Sequence, residues 1–303
     1  MAAQTVYEPA GDDVGGRTSR DHATRPNSAE WSREVRFVRV RLDVAYDGTD
    51  FSGWAPQHDQ RTVAGVLLGA LTRLFGTPSG LTVAGRTDAG VHATGQVCHV
   101  DLPGPAWSEL ATSVVRRLAG VLPPDVRVTA ASAVPASFDA RFAALRRRYA
   151  YRVGDEPWGV MPLRRRDTLA WTWPLDLERL NAGATGLLGE HDFAAYCRRK
   201  EQGTTVRTLQ RLDWSREPDG IVVATVVADA FCQAMVRSLV GALLPVGDGR
   251  RPVEWPASLL SRRQRASEVV VAPAYGLTLI GVDYPDDPAQ YAARAETARN
   301  RRT

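Results

Sequence analysis

Val38, Val40, Leu42, Val44 and Tyr46 alternate with Arg39, Arg41, Asp43 and Ala45. Such a period of two sends the two sets to opposite faces and predicts a strand with one face buried. A Gly-rich loop follows. Thr62 then stands where it can cap a helix whose apolar face is Val63, Val66, Leu67, Ala70, Leu71 and Leu74, and Gly76 is placed to end it. Strands are expected around 81–85 and 96–102, a helix over 108–119, and a strand over 126–134 after the Leu122-Pro123-Pro124 punctuation. The order β-α-β-β-α-β is that of a ferredoxin-like, or RRM-like, unit. The second half has the same flavour: a strand at 148–153, a helix at 176–188, strands at 205–214 and 221–228, a helix at 233–246 and a strand at 277–284. No sequence repeat links the halves. The expected fold class is therefore α+β, two ferredoxin-like halves with antiparallel sheets, divided as 35–145 and 146–285. Residues 1–34 carry few large apolar side chains and predict a disordered tail. The Ala/Arg-rich segment 286–303 predicts a frayed helix or a second tail.

With 303 residues, 44% of them hydrophobic and 24% charged, the chain falls outside the collagen-like, coiled-coil and wholly disordered classes. A net charge of +4 is too small to argue nucleic acid by itself. Lys200 is the single lysine among 38 basic residues. An arginine excess suits phosphate recognition, because the planar guanidinium grips oxyanions with two donors. A coding bias replacing Lys everywhere is the better account of most positions. Cys98, Cys197 and Cys232 form no CxxC pair, which points to neither a disulfide framework nor a zinc knuckle and fits a reduced, cytoplasmic chain. No apolar run approaches the roughly 18 residues of a membrane span, and no secretory signal pattern opens the sequence.

Three segments carry possible chemistry. The first is Gly85-Arg86-Thr87-Asp88-Ala89-Gly90-Val91-His92-Ala93, between two expected strands. Two glycines flank a polar core, which lets the loop turn tightly and a ligand approach the backbone. An aspartate near an arginine stays ionised and can act as nucleophile or base; a plain turn with a surface Asp–Arg pair is the simpler alternative. The second is the stretch from Arg141 to Arg166, with eight arginines against Asp155 and Glu156 and with Tyr149, Tyr151 and Trp158 interleaved. That composition suits a phosphate backbone with stacked bases, or equally a solvated strand edge. The third is Phe231-Cys-Gln-Ala-Met-Val-Arg237-Ser-Leu-Val-Gly241, where a cation in so apolar a run needs an anionic partner. Asp88 is the candidate. Metal chemistry has little support: His22, His58, His92, His99 and His191 show no paired-ligand spacing. Walker A, GxGxxG and GxSxG patterns are absent as well.

Tyr46-Asp-Gly-Thr-Asp-Phe-Ser-Gly-Trp54, Gly85 to Val97, Phe138-Asp-Ala-Arg-Phe142, Arg147-Arg-Tyr-Ala-Tyr151, Gly189-Glu-His-Asp-Phe193, Met235 to Gly241 and Ala272-Pro-Ala-Tyr-Gly-Leu277 follow one another in an informative order. In that order they resemble the tRNA pseudouridine synthases of the TruA class, over about Val38 to Tyr284. The resemblance implies the pseudouridine synthase fold and isomerisation of uridine in the anticodon stem-loop of tRNA, at positions thirty-eight to forty. It implies a homodimer without metal or cofactor. By matched motif, Asp88 is the catalytic aspartate, Arg86 the arginine beside it, Tyr149 the active-site tyrosine, and Arg237 the arginine paired with the aspartate. Leu277 is the apolar residue near the target base, and Arg147 and Arg148, just before Tyr149, are further substrate-binding residues. The chain departs from the family pattern at Gln233 and Ala234, at Ser238, at Ala119 and at Asp139.

Two rival functions fit parts of the sequence. An RNA-binding module without catalysis would bind tRNA in a salt-dependent way and leave it unchanged. A glycosidase-type hydrolase wants two carboxylates about the bond, and the motif loop offers one.

Overall fold

The computed structural model describes residues 37–198 and 204–300. The tail expected over 1–34 lies outside them. The alternating segment forms β1 (Phe37–Tyr46), with Val40, Leu42, Val44 and Tyr46 buried. Thr62 caps α1 (Val63–Phe75), its hydroxyl accepting from Gly65 N–H at 3.3 Å, and Gly76 closes the helix with a positive φ of 78° that favours glycine. After β2 (Ser79–Val83) comes β3, which runs over His92–Pro103 and so begins earlier than its sequence pattern indicates. The single helix expected over 108–119 is two, α2 (Gly104–Leu110) and α3 (Val114–Val121). They part at Ser113, whose hydroxyl bonds the Leu110 carbonyl and competes with the helical ladder. β4 (Val126–Ala133) completes the first set.

The second set comprises β5 (Arg146–Gly154), β6 (Leu169–Ala170), α4 (Leu177–Thr185), β7 (Gly189–Asp192), β8 (Val206–Arg216), β9 (Val222–Ala228), α5 (Met235–Gly247), α6 (Trp255–Ser258) and β10 (Leu277–Asp283). The strands form one large, mostly antiparallel sheet in the order β4-β1-β3-β10-β5-β9-β8-β7, with β2 added to β3 and β6 to β5. One edge of β3 is shared end to end. Its distal residues pair with β2, from Ser79 opposite Asp101 to Val83 opposite Cys98, while His92 and Ala93 pair in parallel with Thr278 and Leu279 of β10. That short parallel contact joins the two sets of strands, and the Gly85–Val91 loop lies immediately before it.

The segment 286–303 contributes α7 (Tyr291–Asn300), with Tyr291, Ala295 and Ala298 buried and the Tyr291 ring edge-on to Phe138 at 5.2 Å. One sequence expectation is overturned: Cys197 and Cys232 come together as a disulfide, their Cα atoms 5.8 Å apart. Thirty-five residues separate them in the chain, so no local spacing announces the pair. Cys98 is a buried free thiol. No helix among the described residues is long and apolar enough to cross a membrane.

Candidate active site

The Gly85–Val91 loop is held from below by the segment that follows β1. Trp54 N–H donates to the Thr87 carbonyl at 3.1 Å, and Gly90 N–H donates to the Phe51 carbonyl at 3.3 Å. Gly53 has φ of 95°, and a side chain there would collide with the Thr87 carbonyl. Within the loop, Val91 N–H closes a turn onto the Asp88 carbonyl at 3.2 Å. Of the two flanking glycines only Gly90, with φ of 77°, uses a conformation closed to other residues. Gly85 acts through its carbonyl, which accepts from Gln96 Nε2 at 2.9 Å.

Gln96 also donates to the Tyr46 hydroxyl at 3.3 Å, and that hydroxyl meets Thr87 Oγ1 at 2.8 Å. Gln96 is fully buried, and burial pushes the Tyr46 phenol up to about 12, so it stays neutral. Tyr46, Thr87 and Gln96 were not singled out by sequence reasoning as site residues. Their signal lies in the Tyr46–Trp54 and Gly85–Val97 motifs, which carry the resemblance without announcing the cradle they build together. His92 is also structural: its Nδ1 accepts from Gly48 N–H at 3.0 Å, leaving Nε2 to donate to the Arg166 carbonyl at 2.8 Å. That tautomer makes the 3.2 Å approach of Asp47 to Nδ1 a contact between two acceptors rather than an ion pair.

Arg237 meets Asp88 at 3.9 Å, Nη1 to Oδ2, an ion pair too long to be a hydrogen bond. Its shortest bond is from Nε to the Ala272 carbonyl at 2.6 Å, and Ala272 N–H returns a bond to the Arg237 carbonyl at 3.0 Å. Arg237 lies in the first turn of α5, where the helix dipole disfavours a cation by roughly 0.3–1 kcal/mol. Helix stability therefore does not explain it. The turn before α5 is strained too, since Ala234 holds φ of 64° with a side chain attached. Arg86, by contrast, is exposed and has no hydrogen-bond or ion-pair partner among the described residues.

Tyr149 belongs to the buried face of β5, with Arg147 and Tyr151. Its ring stands edge-on to Phe231 at 5.1 Å. Burial pushes its phenol well above the ordinary range, the nearby Tyr46 and the charge of Asp88 push the same way, and Arg147 opposes them. Leu277 pairs with Tyr151 and Leu279 with Tyr149, so both leucines share that face. The Tyr151 hydroxyl donates to the Pro273 carbonyl at 2.9 Å, fixing the strap that leads into β10. The same strap meets the motif loop, because Ala274 lies against Gly90.

The two arginines expected to bind substrate lie in different surroundings. Arg147 is only 4% exposed and spends its donors on backbone carbonyls, so it is closed to a ligand. Arg148 is exposed but points to the opposite face of β5 from Tyr149, beside Asp283 at 3.3 Å. Among the positions that depart from the family pattern, Asp139 caps the turn that follows it, accepting from Arg141 and Phe142 N–H at 2.9 Å each. Ser238 is buried with its hydroxyl unpartnered, and Ala119 is exposed.

A carboxylate, an arginine facing it, a buried tyrosine and a leucine on the tyrosine's sheet face thus come from four separate stretches of chain. A family model for tRNA pseudouridine synthase matches residues 184–285. A tRNA pseudouridine synthase A of Frankia casuarinae is 59% identical over 86% of this chain and 94% of its own length. That of Streptomyces griseus is 58% identical over 89% and 96%, and that of Mycobacterium leprae 52% over 88% and 96%. Identity this high over nearly the whole length of both partners places the chain in the tRNA pseudouridine synthase A family.

Proposed function

We propose that the chain isomerises uridine to pseudouridine in the anticodon arm of tRNA, at positions thirty-eight to forty, with Asp88 as nucleophile. The proposal includes a cytoplasmic homodimer that needs neither metal nor cofactor, and two ferredoxin-like halves. Membership of the family carries the coarser part, tRNA uridine to pseudouridine. The halves are supported by strand order: β4-β1-β3-β2 in the first and β10-β5-β9-β8 in the second repeat one arrangement.

The reaction breaks C1′–N1, turns the uracil and joins C5 to C1′; a proton leaves C5 and one is gained at N1. A carboxylate nucleophile in a closed pocket meets that need. The target base must leave its stack, at a cost of a few kcal/mol unless a pocket receives it. Tyr149 and Leu277 supply an aromatic and an apolar wall for that base. Arg237 faces the Asp88 carboxylate at 3.9 Å, and Arg86, which has no hydrogen-bond or ion-pair partner among the described residues, takes a phosphate of the RNA backbone.

The observation that carries this reading is the Asp88–Arg237 pair at 3.9 Å, formed from segments almost half the chain apart. Asp88→Asn should abolish pseudouridine formation in tRNA, read by base-specific chemical labelling, while tRNA binding persists. Turnover by Asp88→Asn would refute the reading.

A further inference from the structure

Arg147 is a guanidinium buried to 4% exposure with no carboxylate in ion-pair contact among the described residues. A lone buried charge is costly, and apolar side chains of similar volume commonly replace buried ions without loss of stability. What this arginine does instead is bind three backbone carbonyls from three parts of the chain. Nη1 donates to Asp229 at 2.7 Å, while Nη2 donates to Ala84 at 2.8 Å and to Arg141 at 2.6 Å.

The identities of those carbonyls matter. Ala84 is the last residue before the Gly85–Val91 loop that bears Asp88. Asp229 directly follows β9 and opens the turn, through Phe231 and the strained Ala234, that delivers Arg237 at the start of α5. One rigid fork therefore fixes the departure points of the two segments that carry Asp88 and Arg237 to their meeting. The same side chain sits two residues from Tyr149 on one face of β5.

We propose that Arg147 is a positioning residue for the isomerisation, setting the separation of Asp88 and Arg237 through the carbonyls of Ala84 and Asp229. This rests on Asp88 and Arg237 being the catalytic pair. Lysine cannot reproduce the role, because a single ammonium lacks the planar, divergent donors that reach three carbonyls at once.

The test is steady-state kinetics of Arg147→Lys in the full-length protein on a tRNA transcript, beside wild type and Asp88→Asn. The expected result is a fall in kcat of about 10- to 100-fold, the effect of a misplacement on the order of 1 Å, with KM for tRNA within about twofold. Each assay is repeated in trimethylamine N-oxide, which favours compact states. A loss due only to unfolding recovers there, whereas a misplaced loop pair does not. Wild-type kcat in Arg147→Lys, or recovery to wild-type kcat in the osmolyte, overturns the proposal. Should Arg147→Lys stay unfolded even in the osmolyte, Arg147→Met serves in its place, with the same two outcomes. Turnover by Asp88→Asn would instead defeat the underlying site reading, so the two failures are distinguishable.

Discussion

The two faces of β5 are built from one run of sequence and have opposite fates. On one face Arg147, Tyr149 and Tyr151 are buried, and the Arg147 guanidinium donates to the backbone carbonyls of Ala84, Arg141 and Asp229. On the other, Arg146 and Arg148 are exposed and lean on Asp283 at 2.7 and 3.3 Å. Three consecutive arginines thus divide into one internal clamp and two solvated charges, purely by the pleat. A count of arginines reads all three as one basic patch; the period of two separates them. Charge in a strand has to be read residue by residue, by face, before it is read as a surface for RNA.

The largest effect expected from breaking this contrast is at Tyr149. Tyr149→Phe keeps the aromatic wall and removes the hydroxyl. If that hydroxyl handles the C5 proton, kcat falls by about 10²- to 10⁴-fold with tRNA affinity retained, measured by labelling assays and filter binding. A variant with more than half the wild-type kcat would reduce Tyr149 to a wall. Next comes Tyr151→Phe, which leaves the Pro273 carbonyl without its 2.9 Å donor. The expected loss of stability is about 1–3 kcal/mol, read by urea denaturation, and a loss below about 0.5 kcal/mol would mean that water replaces the hydroxyl.

The end of β5 gives a pH-dependent case. The Asp155 side chain is buried and receives Arg216 Nη1 and Nη2 at 2.7 and 2.9 Å and Leu175 N–H at 2.8 Å. Burial by itself would raise this carboxyl, but the Arg216 and Leu175 bonds outweigh it and hold it below the usual value. A depressed folded value means the stabilisation is fully present above the unfolded value near 4 and is lost as pH falls through the folded one. Arg216 is partly exposed and screened, so the amount is at most about 2 kcal/mol. Thermal midpoints of wild type should therefore drop below pH of about 4 more steeply than those of Asp155→Asn; parallel curves would contradict the assignment.

Local pattern carried much of the fold. The nine-residue alternation from Val38 to Tyr46, the Thr62 cap and the Gly76 stop each specify an element through contacts a few residues long, and each appears in the structure. The break at Ser113 was hidden because a continuous apolar stripe suits one helix or two. Joining of the strand sets through His92–Ala93 and Thr278–Leu279 depends on partners far apart, as does the Cys197–Cys232 pairing. Neither leaves a local signature. At the site, the need of Arg237 for an anion was legible from its apolar surroundings, whereas the burial of Arg147 was not, since its partners are carbonyls that every residue possesses. Tyr46, Thr87 and Gln96 escaped notice for the same reason: their function is a relay of hydrogen bonds visible only once three segments are assembled.

The smallest expected effect falls on the exposed face, at Arg148→Ala. Half of this side chain is in solvent, and its one ion pair among the described residues, with Asp283, is duplicated by Arg146 at shorter range. Removing it leaves Asp283 paired, so the stability change should stay within about 0.5 kcal/mol. Gly281 lies beneath the guanidinium, which adds packing but no buried polar group to strand. At saturating tRNA, kcat should equal wild type, because the side chain points away from Tyr149. Loss of tRNA affinity that disappears at high salt would assign Arg148 to a backbone phosphate contact on the outer face. A fall in kcat would be the more consequential outcome, for it would mean that the two faces of β5 are coupled and that the pleat does not separate site from surface.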